Sequence, residues 1–131
     1  MKIAVDTNVL VRGVVRDNEI QALAADKALR DASLIAVSLP CLCELVWVLR
    51  KVYSLDNSSI AAAVRALSDT ENVAMNRPAV EAGLAVFESG GDFADGIMAY
   101  EGNWLGAETF VSFDKKAVSL LARHGLNARL L

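Results

Sequence analysis

The stretch Lys2-Ile3-Ala4-Val5-Asp6-Thr7-Asn8-Val9-Leu10 decides how this chain is read. Ile3 to Val5 is an apolar run too brief for a helix, and it stops at three polar residues. Such a run reads as a buried strand ending at Asp6. Leu34 to Val37 repeats the form as a second buried strand, and Ser38 and Pro40 then open a helix from about Cys41 to Tyr53. Between the two strands, Glu19 to Leu29 carries Ile20, Leu23, Ala24 and Ala28 at helical spacing. Ser58 or Ser59 caps the next helix, to about Leu67, and Val73-Ala74 reads as a minor strand. Pro78 starts a helix to about Glu88, which Gly90-Gly91 ends. Asp92 opens a helix toward Tyr100, and Thr109 to Phe113 is a strand. Asp114 starts a helix ending at His124-Gly125, and Ala128 to Leu130 forms a last strand. Short, uniformly apolar strands alternating with helices imply a short parallel sheet with helices on both faces, an α/β fold in three layers. In open sheets of this kind, active sites form beyond the carboxyl ends of the strands.

The chain has 131 residues, of which 54% are hydrophobic and 22% charged. Those proportions exclude a disordered or fibrous chain, and no linker, repeat or charge block divides it, so a single domain over 1–131 is expected. Thirteen Lys and Arg against sixteen Asp and Glu give a net charge of −3. That balance argues against holding nucleic acid mainly by a blanket of positive charge, but leaves nucleic acid open as a substrate. Cys41 and Cys43 are too close together to staple a fold, and no second pair exists for a zinc site. They read as small hydrophobes of a reducing cytoplasm. Asp6 arrives too soon for the apolar core of an export signal. Ser38, Pro40 and Glu44 interrupt the greasiest segment, Leu34 to Leu49, so no membrane span is expected and the reading is cytoplasmic.

Four acids stand where a core-building sequence would not put them. Asp6 ends the first strand, and Glu44 is the one charge between Leu34 and Leu49. Asp95 lies near the start of a helix, and Asp114 follows the strand ending in Phe113. In a parallel sheet all four fall at the same edge. Carboxylates gathered there repel one another, and burial adds a desolvation cost, so they require raised pKa values or a neutralising cation. Oxygen ligands without imidazole or thiolate favour Mg²⁺ or Mn²⁺. Each acid also has a plainer reading: Asp6, Asp92 and Asp114 are good helix N-caps, and Asp92 with Asp95 mimics a capping box. Glu44 resists it, being set in an apolar helix.

The strings Val5-Asp6-Thr7-Asn8-Val9-Leu10, Glu44-Leu45-Val46-Trp47-Val48-Leu49, Asp92-Phe93-Ala94-Asp95-Gly96-Ile97-Met98-Ala99 and Ser112-Phe113-Asp114-Lys115-Lys116 resemble, in that order, the PIN-domain family. Within it they look most like the VapC-type toxins of toxin–antitoxin pairs. The resemblance implies a single PIN domain with a three-layer α/β/α fold and a metal-dependent endoribonuclease activity. Asp6, Glu44, Asp95 and Asp114 match the family's acidic positions. Asp6 and Asp95 would be principal Mg²⁺ ligands, with Glu44 and Asp114 completing the site and Asp92 an accessory. Thr7 and Asn8 would orient Asp6 or metal-bound waters, and Ser112 stands where relatives carry Thr. Gly96 departs from a more usual Ala. The resemblance also implies an RNA substrate, a cognate antitoxin and a homodimer. The alternatives are a free-standing PIN nuclease and a non-catalytic PIN-like binding module.

Arg12 and Arg16, four apart, and Lys115 and Lys116, beside Asp114, are candidate RNA or antitoxin contacts; the alternative is a solvated helix face. Phe93 and Trp47 have rings that stack on bases, but Trp47 stands among core residues. His124 sits at a helix end that favours positive charge rather than in a catalytic motif. An aspartyl phosphatase would need Asp at position 8, which is Asn. A receiver domain would need Asp56 at a strand end, and it follows a helical segment instead.

Overall fold

Apolar runs of strand length joined by helical segments pair in parallel, because each crossover must carry the chain back along the sheet. The computed structural model describes residues 1–131, and it has seven helices and five short strands. Every strand pair is parallel, and the mixed α/β class is the one read from the sequence. The strands hydrogen-bond as a three-stranded and a two-stranded sheet. The chain divides into two compact units, Met1–Asn76 and Arg77–Leu131.

The first unit runs β1 (Lys2–Ala4), α1 (Thr7–Val14), α2 (Glu19–Asp31), β2 (Leu34–Ala36), α3 (Leu39–Lys51), α4 (Asn57–Ser68) and β3 (Val73–Ala74). β2 is central: Ile3 pairs with Ile35, and Ile35 with Val73. Ile35 and Val37 are accordingly buried. β1 is bonded on one side only, and Lys2 and Ala4 are exposed about a half-buried Ile3. The first strand is therefore a marginal one rather than the fully buried one expected.

Two helix faces also differ from expectation. In α2 the residues that face inward are Ala22 and Ala25, while Ile20 and Leu23 are 83% and 58% exposed. α2 packs against α1 through its small side chains, and the bulkier apolar stripe points out. In α3 the buried set is Cys41, Leu42, Leu45, Val46 and Leu49. Pro40, Glu44, Trp47 and Lys51 form the exposed stripe at helical spacing. Glu44 is thus solvated rather than deep in an apolar face, and Trp47, 59% exposed, is not core. α3 begins where its cap dictates, with Ser38 Oγ accepting from Cys41 N at 3.3 Å. α4 is capped by Asp56, which accepts from Ser59 N at 2.7 Å, not by Ser58 or Ser59.

The second unit runs α5 (Arg77–Glu88), α6 (Phe93–Trp104), β4 (Phe110–Ser112), α7 (Lys115–Arg123) and β5 (Ala128–Leu130). α5 stops at Gly90, whose φ of +94° suits glycine. α6 then doubles back against α5 at two glycines. A Cβ on Gly96 would lie 2.6 Å from the Ala82 carbonyl oxygen and 2.8 Å from Gly83 Cα. One on Gly83 would meet the Phe93 ring at 2.8 Å and Ile97 at 2.9 Å. Phe93 is fully buried, edge-on to Phe87 with ring centroids 6.5 Å apart, so it is not available to a base. Val86, Ala99, Leu120 and Leu121 form a core on which Phe110, Leu126 and Ala128 pack.

Candidate active site

The ends of strands and the starts of helices coincide in this chain, and that coincidence places the acids. Asp6 lies between β1 and α1 and caps the helix, its Oδ1 accepting from Thr7 N at 2.8 Å. Thr7 is buried, and its hydroxyl donates to Cys41 Sγ at 3.8 Å. Thr7 thus holds Asp6 through its backbone and α3 through its side chain. Asn8 is exposed beside it. The first unit brings Asp6 and Glu44 to Cys41. Burial pushes the Cys41 thiol above its usual range, the bond from Thr7 opposes that shift, and the charges of Asp6 and then Glu44 add to it. Cys41 lies near enough to feel both acids, although nothing marked it in the sequence except its place three residues before Glu44. Cys41 and Cys43 are both free thiols.

In the second unit, Asp92 and Asp114 lie near enough to Asp95 for their charges to act on it. Asp92 caps α6, accepting from Ala94 N at 2.9 Å. Asp114 caps α7, accepting from Lys116 N at 2.9 Å and Ala117 N at 3.1 Å. Ser112 Oγ accepts from Asp114 N at 2.9 Å, so the hydroxyl at that position fixes the backbone of the acid. Asp95 is different. It is half-buried in the first turn of α6, caps nothing, and its carboxylate accepts no hydrogen bond within the protein. Desolvation pushes its carboxyl above the usual range, and the charges of Asp92 and Asp114 push it further.

The donor set is all oxygen in the second unit, which suits a hard divalent cation. No group of three or more His, Cys, Asp or Glu side chains is placed so that it could hold a metal ion. Mg²⁺ as a rule keeps several waters and is held by one or two carboxylates plus substrate phosphates.

The basic candidates separate into two kinds. Arg12 donates to Asp17 at 2.6 Å, to Gln21 at 2.7 Å and to the Tyr53 hydroxyl at 3.3 Å. Arg16 makes a two-pronged pair with Asp26, at 3.0 and 2.7 Å. Both guanidiniums are thus engaged inside the first unit. Lys115 and Lys116 are exposed in the first turn of α7 and make no ion pair. His124 ends α7 with its Nε2 3.1 Å from Ser89 Oγ. That hydroxyl already donates to the Ala85 carbonyl at 2.9 Å, so the two residues do not form a nucleophile–base pair.

No helix is long and apolar enough to cross a membrane. Residues 3–122 match the family described as PIN domain. No curated protein matches the chain.

Proposed function

The chain belongs to the PIN-domain family, and from that membership we propose that it is a divalent-metal-dependent endoribonuclease, the toxin half of a toxin–antitoxin pair. The family supports a nuclease-type function. The observation that carries the reading to this chain is Asp95, a half-buried carboxyl without a hydrogen-bond partner, raised first by desolvation and then by the charges of Asp92 and Asp114. In the second unit these three would hold Mg²⁺; in the first, Asp6 and Glu44 are the residues suited to it. When bound, such an ion supplies a nucleophile at neutral pH and stabilises the charge that develops on a phosphoryl group. The chain's own residues do the positioning. Ser112 and the α7 cap fix Asp114, Asp92 is fixed by the α6 cap, and Asp95 is left free to respond to charge. Lys115 and Lys116 offer positive charge to RNA phosphates. A homodimer and an antitoxin complete the proposal on resemblance alone.

A PIN-like binding module with acids that only cap helices is the competing reading, and it has Asp6, Asp92 and Asp114 in its favour. Asp95 separates the two, since it caps nothing. The test is cleavage of a labelled single-stranded RNA by the purified chain. Mg²⁺ should support it, EDTA should stop it, and Asp95→Asn should abolish it while the circular dichroism spectrum stays native. Undiminished cleavage by Asp95→Asn would refute the assignment. Expression should arrest growth in a way that co-expression of a small reading frame encoded upstream relieves; arrest with no such frame or no relief points to a free-standing nuclease.

A further inference from the structure

In the first unit α1 packs on α3, and the first turns of the two helices meet at a polar contact. β1 and β2 pair in parallel with Ala4 opposite Ala36, so Asp6 and Ser38 stand in corresponding places just past the strand ends. Each caps the helix that follows it. Asp6 Oδ1 accepts from Thr7 N at 2.8 Å, and Ser38 Oγ accepts from Cys41 N at 3.3 Å. The two residues held this way by their backbones join through their side chains, the Thr7 hydroxyl donating to Cys41 Sγ at 3.8 Å. Thr7 is 4% and Cys41 6% exposed, and Thr7 is the one buried polar or charged residue of the chain.

A cysteine that served only as a small hydrophobe could be exchanged for another apolar side chain of its size. The hydroxyl beside Cys41 forbids that exchange, because a buried donor that loses its acceptor cannot turn to water instead. A thiol is also neutral at pH 7. It takes the hydroxyl without setting a third negative charge beside Asp6 and Glu44, whose charges both reach it. Asp6 directly precedes Thr7, and Glu44 follows Cys41 by one turn of α3. We infer that Cys41 is a positioning residue: by accepting the Thr7 hydroxyl it fixes the start of α1 against α3, and with it the spacing of the backbone that carries Asp6 and Glu44. The inference rests on the nuclease reading for the cation those two acids would hold, but not for the contact itself.

The test uses the full chain with the contact broken from either side. Cys41→Ala and Cys41→Val remove the acceptor, one with a smaller side chain and one with a larger. Thr7→Val removes the donor at nearly constant shape, and Thr7→Ser retains it. Amide exchange read by NMR should quicken at Thr7, whose N–H makes the bond to Asp6, in the first three variants and stay near the parent in Thr7→Ser. Exchange at Val64, buried in α4, should not change. Mn²⁺ affinity, read by calorimetry without RNA, should fall about tenfold in the same three variants. Thr7→Val combined with Cys41→Val should lose no more than either alone, because both break one contact. Unchanged exchange at Thr7, equal quickening at Val64, a parental Mn²⁺ affinity in the variants, or losses that add in the double variant would each overturn the role. A parent chain that binds no Mn²⁺ would remove the metal reading of Asp6 and Glu44, and exchange at Thr7 would then decide the contact by itself.

Discussion

Replacing Gly96 by alanine tests the closeness of α5 and α6. The new Cβ would sit 2.6 Å from the Ala82 carbonyl oxygen and 2.8 Å from Gly83 Cα, both backbone atoms that move only if a helix moves. Overpacking a tight core costs about 1–3 kcal/mol, and a backbone clash belongs toward the upper end. Against this, alanine gains up to about 1 kcal/mol in a helix interior. The expected net loss for Gly96→Ala is about 2 kcal/mol. Gly102 lies in the same helix with nothing within 4 Å of its would-be Cβ, so Gly102→Ala should gain about 0.5 kcal/mol. Gly83→Ala falls between, since the Phe93 and Ile97 atoms it meets belong to side chains. Urea denaturation of the three variants measures the differences. At roughly 3–5 °C per kcal/mol, Gly96→Ala and Gly102→Ala should melt about 10 °C apart. A Gly96→Ala chain as stable as the parent, or a Gly102→Ala chain equally damaged, would refute the account of the contact.

Asp95→Asn should stabilise the fold while abolishing cleavage. Because the folded chain holds the Asp95 carboxyl above its usual range, the ionised form weakens the native state at neutral pH, and that penalty disappears as pH falls through the raised value. The variant should melt above the parent at pH 7, with the gap closing toward acid pH, and calorimetry across pH reads both. Arg12→Ala should lower the melting temperature, because it unties Asp17, Gln21 and Tyr53 at once. It should leave the salt slope of single-strand binding unchanged, whereas Lys116→Ala should reduce that slope by about 0.7.

Most elements of this fold are legible in the sequence because caps and breakers are local. Ser38 with Pro40, Asp92, Asp114 and Gly90 each act within a few residues of themselves. Which face of a helix is buried is not local. In α2 the pattern of Ile20, Leu23, Ala24 and Ala28 points outward because α1 comes close enough to accept only Ala22 and Ala25. Trp47 and Glu44 were set among apolar neighbours along the chain, but helical geometry puts them together on the stripe away from the core. The acids were legible as a set and illegible in their roles. A cap and a metal ligand both need a carboxylate where a helix begins, so Asp6, Asp92 and Asp114 satisfy either description. Only the hydrogen bonds distinguish them from Asp95.

Capping has a consequence for how such a chain changes over generations. Side chains at positions 6, 92 and 114 serve helix N–H groups first, and that duty continues whether or not negative charge is wanted there. A descendant that had lost its chemistry would still be confined to Asn, Ser or Thr at those three places. Position 95 carries no such duty, and relief from its raised carboxyl would favour neutral or apolar replacements. Retained caps with a drifting residue 95 would therefore be the record of a chain that kept its shape after giving up its reaction.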